Sequence, residues 1–126
     1  MKYFFHHVHL LCSNLENTIN FLRDHLGATL VTHKKFGGAE GATMDLNGTT
    51  ISLRVAKDDE KVVNDSSLST FGYHHICLSV DDLDAAYAEL TKNGVEFISA
   101  PVDAIENRIA FFKGPDNIVI EVLQPL

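Results

Sequence analysis

The 126-residue chain reads as an α+β protein made of two βαβββ modules. Three observations carry that reading. HHVHLLCSNL at residues 6–15 recurs as HHICLSVDDL at 74–83, an offset of 68 that preserves His6/His74, His7/His75, Leu10/Leu78 and Leu15/Leu83 as identical pairs. NGTTISLRV from Asn47 recurs as DNIVIEVLQ from Asp116 at an offset of 69, which sets Ser52 opposite Glu121. The repeated stretches alternate apolar and polar residues with the period of two expected of strands that bury one face.

Each module opens on a strand, at 5–12 and at 74–80. A helix follows. In the first module Ser13-Asn14-Leu15-Glu16 has the spacing of a capping box, Leu15, Ile19, Leu22 and Leu26 mark one helical face, and Gly27 stops it. In the second, Asp81 is the expected cap, Leu83, Tyr87 and Leu90 form the stripe, and Asn93-Gly94 ends it. Three strands then complete each module, near 28–35, 41–46 and 49–56, and near 95–99, 107–113 and 117–123. Asn47-Gly48 reads as a turn, and Gly37, Gly38 and Gly41 as a flexible loop between strands. The polar, acidic stretch from Lys57 to Thr70 reads as a linker. The expected organisation is one domain over 1–126, with module 1 at about 1–56, the linker at about 57–70 and module 2 at about 71–126.

Composition narrows the function classes. A net charge of −7 with no basic patch argues against nucleic acid and anionic membrane as partners. No apolar run approaches the roughly 18 residues of a membrane span. His6, His7 and His9 interrupt the apolar N-terminal stretch, so it does not read as a signal peptide. Cys12 and Cys77 lack metal-pair spacing and are expected as reduced thiols in the cytoplasm.

Strand alternation places the chemistry. Val8, Leu10 and Cys12 share one face of the first strand and His7, His9 and Leu11 the other. Ile76, Leu78 and Val80 oppose His75, Cys77 and Ser79; Ile51, Leu53 and Val55 oppose Thr50, Ser52 and Arg54; Ile118, Ile120 and Val122 oppose Val119, Glu121 and Leu123. One face of each strand suits packing under a helix, and every chemistry-bearing side chain is on the other. A duplicated fold relates equivalent positions by a pseudo-twofold axis, so His7, His75, Ser52 and Glu121 are expected to converge. Two imidazoles and a carboxylate suit a divalent ion, and a Glu between Ile120 and Val122 is costly to bury without a cation or water.

The duplicated βαβββ order, the histidine on strand one, HHICLSV with a histidine on strand five, IEV near the C-terminus and the preceding GPDN turn resemble the vicinal oxygen chelate superfamily. That group includes glyoxalase I, methylmalonyl-CoA epimerase, extradiol dioxygenases and bleomycin- and fosfomycin-resistance proteins. The resemblance implies a curved, incomplete eight-stranded sheet with helices outside, and one divalent ion (Zn, Ni, Mn, Co or Fe) held by His7, His75 and Glu121. The usual fourth ligand falls on Ser52, a poor ligand, which leaves about three positions open on a six-coordinate ion. Leu11 stands where glutathione-using glyoxalases carry arginine, and Phe111 near where several extradiol enzymes carry an acid–base tyrosine.

The expected function is therefore metal-dependent lyase or isomerase chemistry of the glyoxalase type on a small hydroxy- or keto-compound. The alternatives are a single-module Fe(II) dioxygenase and a non-enzymatic drug-binding resistance protein. Two His and one Glu around the ion leave a net +1, suited to a mono-anionic chelate. Glu121 and His9 are the catalytic candidates, His9 as a base titrating near 6.5. Arg54, Ser52 and Cys77 are candidates for binding substrate, Arg54 through an anionic group. His6 and His74 are expected on the wrong face, His25 and His33 in solvent, and Asp58-Asp59-Glu60 in a solvated loop. Open sheet edges suggest a homodimer.

Overall fold

Both halves of the chain repeat one construction, seen in a computed structural model that describes residues 1–65 and 67–126. Ser66, inside the expected linker, lies outside the described residues. The chain divides into two compact units, Met1–Val63 and Asn64–Leu126, so the boundary falls within that linker.

The first unit contains β1 (His7–Cys12), α1 (Leu15–Leu26), β2 (Thr29–Phe36), β3 (Ala39–Leu46) and β4 (Thr49–Val55). Its sheet has the order β1-β4-β3-β2, with β1 parallel to β4 and the other pairs antiparallel. The second unit contains β5 (Ile76–Ser79), α2 (Leu83–Lys92), β6 (Phe97–Ala104), β7 (Asn107–Lys113) and β8 (Val119–Pro125), in the matching order β5-β8-β7-β6 with β5 parallel to β8. The α+β class and the twofold βαβββ order are thus as expected, with hydrogen bonding organised as two four-stranded sheets. No helix among the described residues is long and apolar enough to cross a membrane.

In each unit the helix covers the apolar sheet face. Ile19 and Leu22 of α1 are buried with Leu10, Cys12, Met44, Ile51 and Leu53. Leu83 and Leu90 of α2 are buried with Ala110, Phe112, Ile120 and Val122. The greasy faces read from alternation on β1, β4 and β8 are the buried ones; Ile76 and Leu78 of the short β5 are only half-buried.

Both helix starts lie one residue later than expected. Asn14, not Ser13, caps α1, its Oδ1 accepting from Asn17 N at 3.0 Å. Asparagine caps at least as well as serine, and capping there leaves Glu16 to meet His33 Nε2 at 3.1 Å instead of closing a capping box. Likewise Asp82, not Asp81, caps α2, accepting from Ala85 N at 2.9 Å. That frame buries Leu83 fully and lets its N–H donate to Gln124 Oε1 of β8 at 2.8 Å. Gly27, left-handed at φ 74, ends α1 as expected, with its N–H on Arg23 O and that of Ala28 on Leu22 O.

Gly37 and Gly38 form the two-residue turn between β2 and β3, both at positive φ. Gly41 is not in that loop. It lies inside β3, paired with Lys34 and Arg54, where a β-carbon would strike the Leu53 carbonyl and the Phe36 ring. β6 runs five residues past its expected end because Pro101 sits in an edge strand at a register shift, where its missing N–H costs no ladder bond.

Candidate metal centre

The sheet registers put the two offsets of the repeat side by side. His9 of β1 is opposite Ser52 of β4, and Cys77 of β5 is opposite Glu121 of β8. An offset of 68 on the first strand and 69 on the fourth therefore describes the same ladder position in each unit.

In the second unit the histidine just before β5 meets the carboxylate on β8. His75 Nε2 lies 2.8 Å from Glu121 Oε2, and the Glu121 side chain is only 14% exposed. Phe111 of β7, directly opposite Glu121, stands edge-on to the His75 ring at 5.4 Å and walls the pair. His74 Nδ1 lies 2.8 Å from His75 Nδ1. An ionised carboxylate only accepts, so Nε2 carries a hydrogen and donates to Glu121. A metal ion held by Nε2 would require that nitrogen without its hydrogen, either moved to Nδ1 or released. Burial chiefly, then the charge of Glu121 and a hydrogen bond to it, pushes the Cys77 thiol up to about 11. Cys77 is thus an exposed thiol, not a thiolate.

In the first unit His7 is exposed, and its Nδ1 lies 2.8 Å from His6 Nδ1, the same contact that His74 makes with His75. His6 and His74 are therefore not turned away from the candidate ligands. Both precede the first strand residue, where alternation no longer governs direction. The His9 ring lies 6.2 Å from that of His7 and packs edge-on against Phe36 at 4.6 Å. Burial first, then the charges of Arg54 and His7, lower the His9 pKa from 6.5. Ser52 is 5% exposed, at a buried place on β4.

Arg54 is already engaged. Its Nη2 donates to Glu60 Oε2 at 2.8 Å and its Nη1 to Glu60 Oε1 at 2.5 Å. Lys57 N donates to the same carboxylate at 2.8 Å. The hydrogen bond from Arg54, the largest cause, holds the Glu60 carboxyl down to about 2. Glu60 is therefore not merely a solvated acid, and its pairing depends on a loop path that no local pattern specifies. Of the other histidines, His25 differs from expectation, packing on Phe21 at 4.9 Å with Nδ1 buried, whereas His33 is exposed as expected and pairs with Glu16 there. Cys12 and Cys77 form no disulfide.

Among the described residues, neither unit by itself gathers three His, Cys, Asp or Glu side chains into a metal-holding group. The second unit brings together His75 and Glu121, and the first carries His7, His9, Ser52 and Arg54.

Residues 4–122 match the family model of the Glyoxalase/Bleomycin resistance protein/Dioxygenase superfamily. The chain is 25% identical over 118 residues to Glyoxylase I 4 of Arabidopsis thaliana, covering 92% of this chain and 67% of that protein. It spans less than half the length of two others that it matches, a lactoylglutathione lyase of Schizosaccharomyces pombe and Glyoxalase I of Saccharomyces cerevisiae. The fold superposes on a glyoxylase/bleomycin resistance protein/dioxygenase domain from Frankia sp. EAN1pec with a TM-score of 0.84, at 22% identity and covering 100% of this chain and 94% of that one. It also superposes on a mutant of the fosfomycin resistance protein FosX from Listeria monocytogenes, complexed with Mn(II) and 1S,2S-dihydroxypropylphosphonic acid, with a TM-score of 0.77 at 20% identity over 100% and 95% of the two chains.

Proposed function

Because this chain belongs to the Glyoxalase/Bleomycin resistance protein/Dioxygenase superfamily, we propose that it is a divalent-metal enzyme performing glyoxalase-type lyase or isomerase chemistry on a small compound with two adjacent oxygens. The observation that carries this reading is the His75–Glu121 pair at 2.8 Å. Glu121 is a largely buried carboxylate between two buried apolar residues, a place where a cation would balance its charge. Imidazole and carboxylate are donors that Zn, Ni, Mn, Co and Fe all accept, and a related fold was crystallised with Mn(II).

His75 and Glu121 would hold the ion, with His7, the repeat equivalent of His75, as the third ligand. Such an ion supplies Lewis-acid polarisation of the two substrate oxygens. Ser52, at the ladder position equivalent to Glu121, brings a hydroxyl and so leaves coordination positions for substrate. His9, its pKa lowered by burial and by the charges of Arg54 and His7, would be the base that takes a proton from carbon beside those oxygens. Cys77 lines the wall. Phe111 has no hydroxyl to act as a proton donor, which favours lyase or isomerase chemistry over a dioxygenase. The paired His75 and Glu121 favour an enzyme over a metal-free drug-binding protein. We place the enzyme in the cytoplasm, as one domain in a homodimer without nucleic-acid or membrane partners.

Metal analysis tests the reading. After reconstitution with each ion, Fe(II) anaerobically, the chain should hold about one ion, and His75→Ala should hold none, because a two-ligand remnant leaves the ion mostly hydrated. Wild-type protein without stoichiometric metal in every case would end the proposal.

A further inference from the structure

The Arg54–Glu60 pair stands on the face of the first sheet that carries the chemistry. Arg54 follows Ser52 on the same side of β4, opposite Leu11 of β1 and Gly41 of β3. Gly41 offers no side chain; the Phe36 ring lies over it and meets His9 edge-on at 4.6 Å. Arg54 is near enough for its charge to depress His9. A guanidinium, an imidazole and an aromatic ring are thus neighbours on one surface.

What the guanidinium holds there is a carboxylate from the chain itself. Two parallel N–H···O bonds join Arg54 to Glu60, whose loop after β4 has neither helix nor strand and whose other hydrogen bond comes from Lys57 N. The geometry points to Glu60 as a resident substitute for a substrate carboxylate: Arg54 takes the carboxylate of a small 2-oxo or 2-hydroxy acid when Glu60 swings out. This deepens the proposed function and rests on its reading of this face as the substrate face.

Three physical arguments support it. The planar fork of arginine fits any carboxylate in the same bidentate way, so the exchange is like for like. The pair is part-exposed, with side chains 23% and 31% accessible, so neither partner must be drawn from a dry interior to separate. Glu60 is tethered and competes at high effective concentration, so a free carboxylate displaces it only when a second attachment adds affinity. Two oxygens on the ion would be that attachment. Neutral hydroxy-ketones would leave Glu60 in place, and acids would be selected over them.

Calorimetric titration with pyruvate and with neutral hydroxyacetone tests this on wild type, Glu60→Gln, Glu60→Asp and Arg54→Gln, each Mn(II)-loaded. Removing the internal competitor should tighten pyruvate by about tenfold, the scale of one charge-assisted bidentate pair, and leave hydroxyacetone unchanged. Arg54→Gln should bind pyruvate more weakly than wild type. Glu60→Asp, with a shorter reach, should fall between wild type and Glu60→Gln, and it carries the test if Glu60→Gln does not fold. The same titrations on metal-free protein, followed through the NMR signal of Arg54 Nε–H, isolate the arginine. A pyruvate-dependent shift in Glu60→Gln supports the inference even if no ion is ever taken up. Stoichiometric metal with equal pyruvate affinity in wild type and both Glu60 variants overturns it and leaves the metal reading standing.

Discussion

Glu60 owes its charge state to the guanidinium beside it, and that has a consequence for stability. Its carboxyl is lowered from 4.5 to about 2, first by the hydrogen bond from Arg54 and then by that from Lys57 N. A carboxyl depressed on folding contributes stability that is complete above its unfolded pKa and is lost as the pH falls through its folded one. The window therefore runs from about 4.5 down to about 2. Glu60→Gln should lower the urea midpoint at pH 7, and its gap from wild type should narrow steadily below pH 4.5, down to the most acid pH at which wild type stays folded. A gap that does not change with pH would show that the ion pair adds nothing. Ser52 carries the opposite kind of test. At 5% exposure it has no solvent for a charge, so Ser52→Glu should destabilise the metal-free protein by at least about 1–3 kcal/mol and bind the ion more tightly than wild type. Thermal melts with and without metal would check both halves; a variant as stable as wild type and no better at holding the ion would refute the assigned position.

At the scale of elements, each helix depends on one cap. Asn14→Ala and Asp82→Ala should each cost about 1 kcal/mol, read as a shift in denaturant midpoint with unchanged slope. These caps also show where the sequence stops being legible. Ser13 and Asn14, and Asp81 and Asp82, are adjacent residues of equal capping ability, and only the packing of Leu83 and the use of Glu16 by His33 decide between them. Order and type of the elements were legible because alternation and the leucine stripes repeat in both halves. The end of β6 was not, since Pro101 reads as a break until the strand is known to lie at an edge. At the site, the equivalence of Ser52 to Glu121 was legible from the repeat, but the facing of Ser52 to His9 and of Glu121 to Cys77 comes from the strand register, which the offsets do not fix. The contacts of His6 and His74, and the capture of Glu60 by Arg54, depend on backbone outside the strands, where no period applies.

For the whole molecule, the duplication gives two copies of one frame with different contents: a carboxylate on β8 and a hydroxyl at the matching place on β4. The frame around the carboxylate rests on a single large side chain. Phe112, with 0% exposure, is paired to Ile120, the neighbour of Glu121. Phe112→Ala should cost about 3–5 kcal/mol, measured by chemical denaturation, and should weaken metal retention along with it, because the strand that aims Glu121 loses its packing. Retention as firm as that of wild type at such a loss of stability would separate the centre from the core. The parallel pairing of the first and fourth strands reaches further still. His75 and Glu121 are 46 residues apart and stand on or beside strands that no hairpin can join. During synthesis β5 emerges early and finds its partner only when β8 has been made, after every other strand of its unit. At about 5–20 residues added per second, the imidazole waits several seconds without its carboxylate. The pair therefore forms only once the last strand of the unit has been made, and that one contact records that the whole unit has closed.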